Sequence, residues 1–272
     1  MITPATKLTA VIGDPVSQSL SPTLHNELYA REGVDAVMLA FGNPSIEKLV
    51  AAIRALPIHL AAVTMPHKQT IMPLLDEIDA TARDIGAVNT VVNRDGELRG
   101  FNTDIVGIAE ALKGVPLRGA NVLLIGAGGA GRTVAYLLKR EGANIFCTNR
   151  DKAQAEELMR VFGGSFVETA DLGKTSFDIV INATPVGMRP NTDATPFPEE
   201  FIAPGSSVFD VVYSPLETKL LASARKRGAR AVSGLKMFLA QGVEQERLWL
   251  EKKIESAQYM ELLEDAVRKR DG

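Results

Sequence analysis

Cysteine is almost missing from this sequence: one residue, Cys147, among 272, alongside one tryptophan and three histidines. A lone cysteine forms no intramolecular disulfide, and without a CxxC or a histidine cluster nearby it builds no zinc site. Set in "NIFCTN" among strand-forming residues, Cys147 is expected to fill a core. The histidines are scattered: His67 suits a turn, His25 a helix and His59 a strand. No apolar run reaches the roughly 18 residues of a membrane span. "MITPATKL" lacks the basic start and apolar core of a secretory signal, so a cytoplasmic location without a membrane partner is expected. Neither sign of charge dominates. The net charge is −3, with cations and acids mixed along the whole length, so no basic face invites nucleic acid and no polybasic cluster a membrane surface. The expected partner is a small molecule. Internal repeats and low-complexity segments are also missing.

What is present is core-forming sequence: 46% hydrophobic residues, enough for one large domain or two small ones. The first hundred residues alternate short apolar runs with helical patterns. "LTAVIG", a helix from Pro22, "AVMLAF", "PSIEKLVAAIRAL", "HLAAVTM" and a helical "KQTIMPLLDEI" together indicate parallel βαβ units. "AVNTVVNRDGELRGFNTD" is expected to form a hairpin around Asp95-Gly96. A helix, "IVGIAEALKG", leads into a second α/β unit through "NVLLIGAGGAGRTVAYLL", "NIFCTN", "FDIVINATP" and "SSVFDVVY". From "GLKMFLAQG" onward the tail is helical, with Leu239, Val243, Leu250 and Ile254 expected on one face.

Gly126, Gly128 and Gly131 have GxGxxG spacing, directly after an apolar strand and before a helix. In that context the first glycine permits a tight turn, the second lets backbone approach a pyrophosphate, and the third lets the helix pack close. The next strand ends "TNRDKAQ". Where a protein reading the bare ribose of NAD carries Asp or Glu, this chain offers Asn149 and Arg150, whose guanidinium suits the 2′-phosphate of NADP. Asp151 follows and would repel a phosphate if it pointed inward; neighbouring residues at a strand end point to opposite sides, which favours solvent over that alternative.

Three other stretches offer chemistry. "VTMPHKQTI" presents Lys68 near an expected helix start, where the dipole disfavours a cation and makes it easier to deprotonate, as a general acid and base requires. The alternative is an ordinary surface lysine. In "GFNTDIVG", Asp104 is either an acid in the first helical turn or, with Thr103 or Asn102 as the cap, a carboxylate free at the seam of the two units. "SQSLSP" places Ser17, Ser19 and Ser21 after a strand; Ser21 before Pro22 suits a helix N-cap, and the same hydroxyls suit a grip on a hydroxylated ligand.

With "SLSP", "VTMPHK", "GAVNT", "GFNTD", "GAGGAGR", "TNR", "NATPVGM", "DVVYSPLETKLL" and "GLKMFLAQG" in this order, the chain resembles the shikimate dehydrogenase family from about residue 8 to the C-terminal helices. The resemblance implies two α/β domains facing each other across a cleft. Residues 1–103 and 238–272 would form the substrate-binding domain, to which the last helices return. Residues 104–237 would form a Rossmann-type NADP-binding domain.

The implied reaction is the reversible NADP-dependent reduction of 3-dehydroshikimate to shikimate, a step toward aromatic amino acids, with Lys68 as general acid and base. Asp104 would hold Lys68 and a ring hydroxyl. Ser19 and Ser21 would grip the substrate carboxylate, with Thr64, Asn89, Tyr213 and Gln241 completing the ring. The cofactor residues implied are Gly126, Ala127, Gly128, Gly129, Ala130, Gly131, Asn149, Arg150, Thr184, Met188, Val211 and Gly234, with no metal and a monomer or homodimer as the assembly. Ser17 matches nothing in the family pattern.

The chain also departs from that pattern. Many members continue the second-strand motif with Thr and a later second Arg, where this chain has Asp151 and Gln154, which leaves room for NAD. An NAD-dependent quinate or shikimate enzyme is therefore the alternative. A non-catalytic dinucleotide-binding regulator is a third reading, against which Lys68 and Asp104 count, since a binding module needs no proton-transfer pair.

Overall fold

The computed structural model describes residues 2–271 and divides into two compact units, Met1–Asp104 with Leu239–Ala266, and Ile105–Phe238 with Val267–Gly272. The first unit contains β1 (Lys7–Gly13), α1 (Ser21–Glu32), β2 (Ala36–Gly42), α2 (Ile46–Ala55), β3 (Leu60–Val63), β4 (Glu77–Ile78), α3 (Ala80–Ile85), β5 (Thr90–Arg94) and β6 (Glu97–Phe101). Its sheet has the order β2-β1-β3-β5-β6-β4, with β5 antiparallel to both its neighbours and the other pairings parallel. Helix α2 shows how sequence dictates an element here. Ser45 caps it by accepting from the amide of Lys48, and Ile46, Leu49, Val50 and Ile53 recur at helical spacing to form one buried face. Each such side chain, fully buried, contributes about 1.5–3 kcal/mol. The β5–β6 hairpin turns at Asp95 (φ 52°) and Gly96 (φ 95°), the paired left-handed conformation that Asp-Gly favours.

The second unit contains α4 (Asp104–Ala111, its first residue grouped with the first unit), β7 (Asn121–Ile125), α5 (Gly129–Glu141), β8 (Asn144–Thr148), α6 (Lys152–Phe162), β9 (Ser165–Phe166), β10 (Ile179–Asn182), β11 (Ser207–Asp210), α7 (Lys219–Lys226) and β12 (Arg230–Ser233). All its strand pairings are parallel, in the order β9-β8-β7-β10-β11-β12. Counted from β7 as the first strand this is 3-2-1-4-5-6, the order of a dinucleotide-binding doubly wound sheet. Its strands are continuous apolar runs because both faces are covered. Cys147 is buried in this sheet as expected, and burial pushes its thiol up to about 12, where it is inert.

Helices α8 (Gly234–Leu250) and α9 (Met260–Asp271) close the chain. Two expectations require correction. The stretch 68–78 is not an α-helix: it forms turns, a 3₁₀ helix at Met72–Leu74 and the short β4, because Pro73 has no N–H to continue an α-helix and the amide of Asp76 bonds to Leu98 instead. Ile254 does not share a helical face with Leu239. Helix α8 ends at Leu250, Glu251 turns into the left-handed region at φ 54°, and Ile254 is buried from irregular chain. An apolar helical stripe shows that a tail packs against something, not against which surface.

Among the described residues no helix is long and apolar enough to cross a membrane, and no group of His, Cys, Asp and Glu is arranged to hold a metal.

Candidate active site

Lys68 lies in the turn after β3. Its carbonyl accepts from Val88 N at 2.7 Å, which ties the turn to the approach of β5. Its ammonium donates to Asp104 Oδ2 at 2.6 Å, with the two side chains 18% and 5% exposed. The helix dipole expected to act on Lys68 does not exist, since no α-helix begins there. The group that faces the cation is a carboxylate.

Asp104 opens α4, and its other oxygen accepts from Asn89 Nδ2 at 2.8 Å. Asn89 is the hub of this network. Its amide nitrogen also faces Thr103 Oγ1 at 2.9 Å and Gln241 Oε1 at 3.4 Å, and its carbonyl accepts from Thr103 N at 2.7 Å and Thr90 Oγ1 at 2.8 Å. Asp104 is therefore not a free carboxylate at a helix start: one oxygen holds a cation and the other a fixed amide. An ammonium has three N–H donors, and the bond to Asp104 uses one of them, leaving donors for a ligand hydroxyl or carbonyl.

The serines form a second arrangement. Helix α1 has Leu20 at its N-cap with no side-chain cap, and Ser21 is its first helical residue, so the expected Ser21 cap does not form. Instead Ser21 N donates to Ser19 Oγ at 3.2 Å, and Ser19 Oγ lies 3.1 Å from Ser21 Oγ. This local turn holds two hydroxyls side by side. Thr64 directly follows β3, four residues before Lys68, and packs on Gly13 so closely that a Cβ there would sit 2.4 Å from its methyl. These substrate candidates belong to the first unit. Tyr213 belongs to the second, where its ring lies 4.4 Å from that of Phe238.

Every cofactor candidate follows the C-terminal end of a strand in the parallel sheet: Gly126 to Gly131 after β7, Asn149 and Arg150 after β8, Thr184 and Met188 after β10, Val211 after β11, and Gly234 after β12. They thus share one sheet edge, the edge at which such sheets take ligands. The glycines differ in what demands them. Gly126 has φ 108°, and a Cβ there would lie 2.7 Å from the Thr184 methyl; a Cβ on Gly131 would lie 2.1 Å from Gly126 O. Gly128, the N-cap of α5, has open space where a Cβ would be and no side-chain cap. A helix N-terminus with free amides beside open space fits a pyrophosphate. Arg150 is exposed, and Asp151 caps α6 by accepting from Gln154 N.

Sequence reasoning missed the polar residues that hold this edge. Asp210 ends β11 opposite Asn182 of β10; its Oδ1 accepts from Asn182 Nδ2 at 2.9 Å and Val212 N at 3.0 Å, and its Oδ2 from Thr218 Oγ1 at 2.7 Å. The Asn182 carbonyl in turn accepts from Thr184 Oγ1 at 2.6 Å. Burial pushes the Asp210 carboxyl up to about 6, against the opposing pull of those bonds.

Comparison with known proteins identifies the family. Residues 11–91 match the family model of the shikimate dehydrogenase substrate binding domain, and residues 108–187 that of shikimate / quinate 5-dehydrogenase. The shikimate dehydrogenase (NADP(+)) of Moorella thermoacetica is 40% identical, over 98% of this chain and 96% of that relative. The crystal structure of shikimate dehydrogenase from Aquifex aeolicus superposes with a TM-score of 0.88 at 37% identity, covering 98% of this chain and all of that one. The shikimate 5-dehydrogenase of Thermus thermophilus, in complex with NADP(H) and shikimate, gives a TM-score of 0.85 at 34% identity, covering 97% of this chain and 99% of that one. On this likeness along its whole length, the chain belongs to the shikimate dehydrogenase family.

Proposed function

We propose that this protein catalyses the reversible NADP-dependent reduction of 3-dehydroshikimate to shikimate. The observation that carries the reading is the Lys68–Asp104 pair anchored on Asn89. NADP supplies the hydride donor or acceptor when bound. In the oxidation direction Lys68, as the neutral amine after releasing a proton to solvent, takes the proton of the substrate hydroxyl as its carbon loses hydride, and in reduction the ammonium gives a proton to the forming alkoxide. Asp104 orients Lys68 and accepts from a ring hydroxyl, and Asn89 keeps the carboxylate in place. Ser19 and Ser21 donate to the substrate carboxylate, with Thr64, Tyr213 and Gln241 around the ring. The amides at the start of α5 hold the pyrophosphate, Arg150 the 2′-phosphate, and Asn149 the ribose side. The working form is a cytoplasmic monomer or homodimer.

The test is initial rates with shikimate and quinate, each with NADP⁺ and NAD⁺, followed by absorbance of the reduced nicotinamide. Shikimate with NADP⁺ is expected to give the highest kcat/KM. Preference for quinate with NAD⁺ transfers the chain to the alternative, and binding without turnover marks a regulator.

A further inference from the structure

Helices α1 and α8 are joined inside the first unit by a wholly buried polar cluster. Glu246 Oε1 accepts from Tyr29 Oη at 2.7 Å and pairs with His25 Nδ1, and Thr9 Oγ1 of β1 lies 2.9 Å from Tyr29 Oη. Burial and the Glu246 charge push the Tyr29 phenol well above its ordinary value, so it stays a donor. His25 and Tyr29 follow Ser21 at successive four-residue steps along α1. On α8, Glu246 and its neighbour Gln245 follow Gln241 by about one turn, and Gln245 Nε2 donates to Thr90 Oγ1 at 3.0 Å and to Asn89 O at 3.3 Å. The two helices touch at Gly242, where a Cβ would lie 2.6 Å from Leu24 Cδ2.

Stability is a poor explanation for the cluster. Among the described residues, His25 Nε2 and Glu246 Oε2 have no hydrogen-bond partner, and a half-satisfied buried pair is generally no more stable than an apolar filling of the same space. What the cluster does fix is register, because its bonds have one geometry while apolar contacts slide.

We propose that Glu246 is a positioning residue for substrate: by holding His25 and Tyr29 it sets α1, which begins at Ser21, against α8, which carries Gln241. The inference rests on Ser21 and Gln241 contacting shikimate, as proposed above. Glu246→Leu removes the acceptor and should raise the KM for shikimate about 10-fold, with kcat within about three-fold and the KM for NADP⁺ within about two-fold. Glu246→Gln keeps a carbonyl acceptor and should stay within about two-fold of the wild type in every parameter. Gly242→Ala leaves Glu246 intact but forces the helices apart, and should reproduce the Leu signature; it decides the matter if the Leu variant fails to fold. Equal effects of Gln and Leu, or lost melting temperature with an unmoved KM, overturn the proposal. Gln241→Ala separates the two readings. If it leaves the shikimate KM untouched, the substrate assignment fails; if it raises that KM while Glu246→Leu and Gly242→Ala do not, only the positioning role fails.

Discussion

Lys68 Nζ and Asp104 Oδ2 stand 2.6 Å apart although 36 residues separate them in the chain, and each is anchored independently, Lys68 through its carbonyl to Val88 N and Asp104 through Asn89. A lysine fixed at both ends is suited to exchanging a proton with the reacting oxygen of a bound substrate repeatedly at one place. Lys68→Ala should therefore lower kcat by roughly 100-fold or more while NADP affinity changes little, since no residue assigned to the nucleotide belongs to the Lys68 network. A kcat within a few-fold of the wild type would show that another group moves the proton.

Asp104→Asn retains shape and loses charge. With the amide unable to hold the ammonium as a carboxylate does, both kcat and the KM for shikimate should worsen, each by about 10-fold or more. Steady-state kinetics at saturating NADP⁺ check this. Unchanged kinetics would return Asp104 to the simple role of an acid in the first turn of α4.

The serine pair can now be tested without ambiguity. An N-cap serine replaced by alanine costs about 1 kcal/mol, but Leu20 holds the N-cap position of α1, and the one serine bond to the helix start is the 3.2 Å contact of Ser21 N with Ser19 Oγ. The double alanine variant should keep its melting temperature within a few degrees, while the shikimate KM rises strongly, each lost bond to a carboxylate being worth about 1.5–3 kcal/mol. A fall in melting temperature with a constant KM would reverse the assignment.

Much of this was legible in the sequence for identifiable reasons. The parallel strands of the second unit are continuous apolar runs, Asp95-Gly96 encodes its own turn, and the glycines of the loop sit where strand becomes helix, all local signals. Residues 68–78 misled because apolar spacing there fits a helix while one proline forbids it. Pairings across the fold left no local trace: His25 and Glu246 are 221 residues apart, and Asp210 meets Asn182 only through the register of β10 with β11. The Asn89 hub was half legible, since "GAVNT" and "GFNTD" both stood out, but not that their side chains interlock.

Asp210 gives a pH dependence whose sign follows from burial. Its folded value, about 6, lies above the ordinary 3.8, so the folded state binds the proton more tightly than the unfolded one. Its contribution to stability is complete below about 4 and is lost as pH rises through about 6. Asn at this position can still accept from Asn182 and Val212 and does not titrate. Between pH 5 and 7.5, the stability of Asp210→Asn relative to the wild type should improve by about 1 kcal/mol in urea unfolding, and a constant difference would mean Asp210 does not titrate in that range.

Cofactor choice turns on adjacent residues with different tasks. Arg150 is exposed after β8, and Asp151 is turned onto the first turn of α6, where its carboxylate accepts from Gln154 N at 3.3 Å and its carbonyl from Asn149 Nδ2 at 2.9 Å. A carboxylate engaged as a helix cap has little reason to face the ribose, so the departure from the family pattern at this position should matter less for NADP than its charge suggests. Asp151→Thr preserves a capping oxygen and should leave kcat/KM for both cofactors within about two-fold, whereas Asp151→Ala should cost about 1 kcal/mol of stability through the lost cap. Arg150→Ala removes the fork that matches a phosphate, and a bare ribose offers that fork no charged partner. It should lower kcat/KM for NADP⁺ by about 10-fold or more and barely touch that for NAD⁺. Initial rates with both cofactors in the wild type and the three variants decide between the possibilities: tighter NADP⁺ in Asp151→Thr would place the carboxylate against the ribose after all, and a wild type preferring NAD⁺ would overturn the NADP assignment.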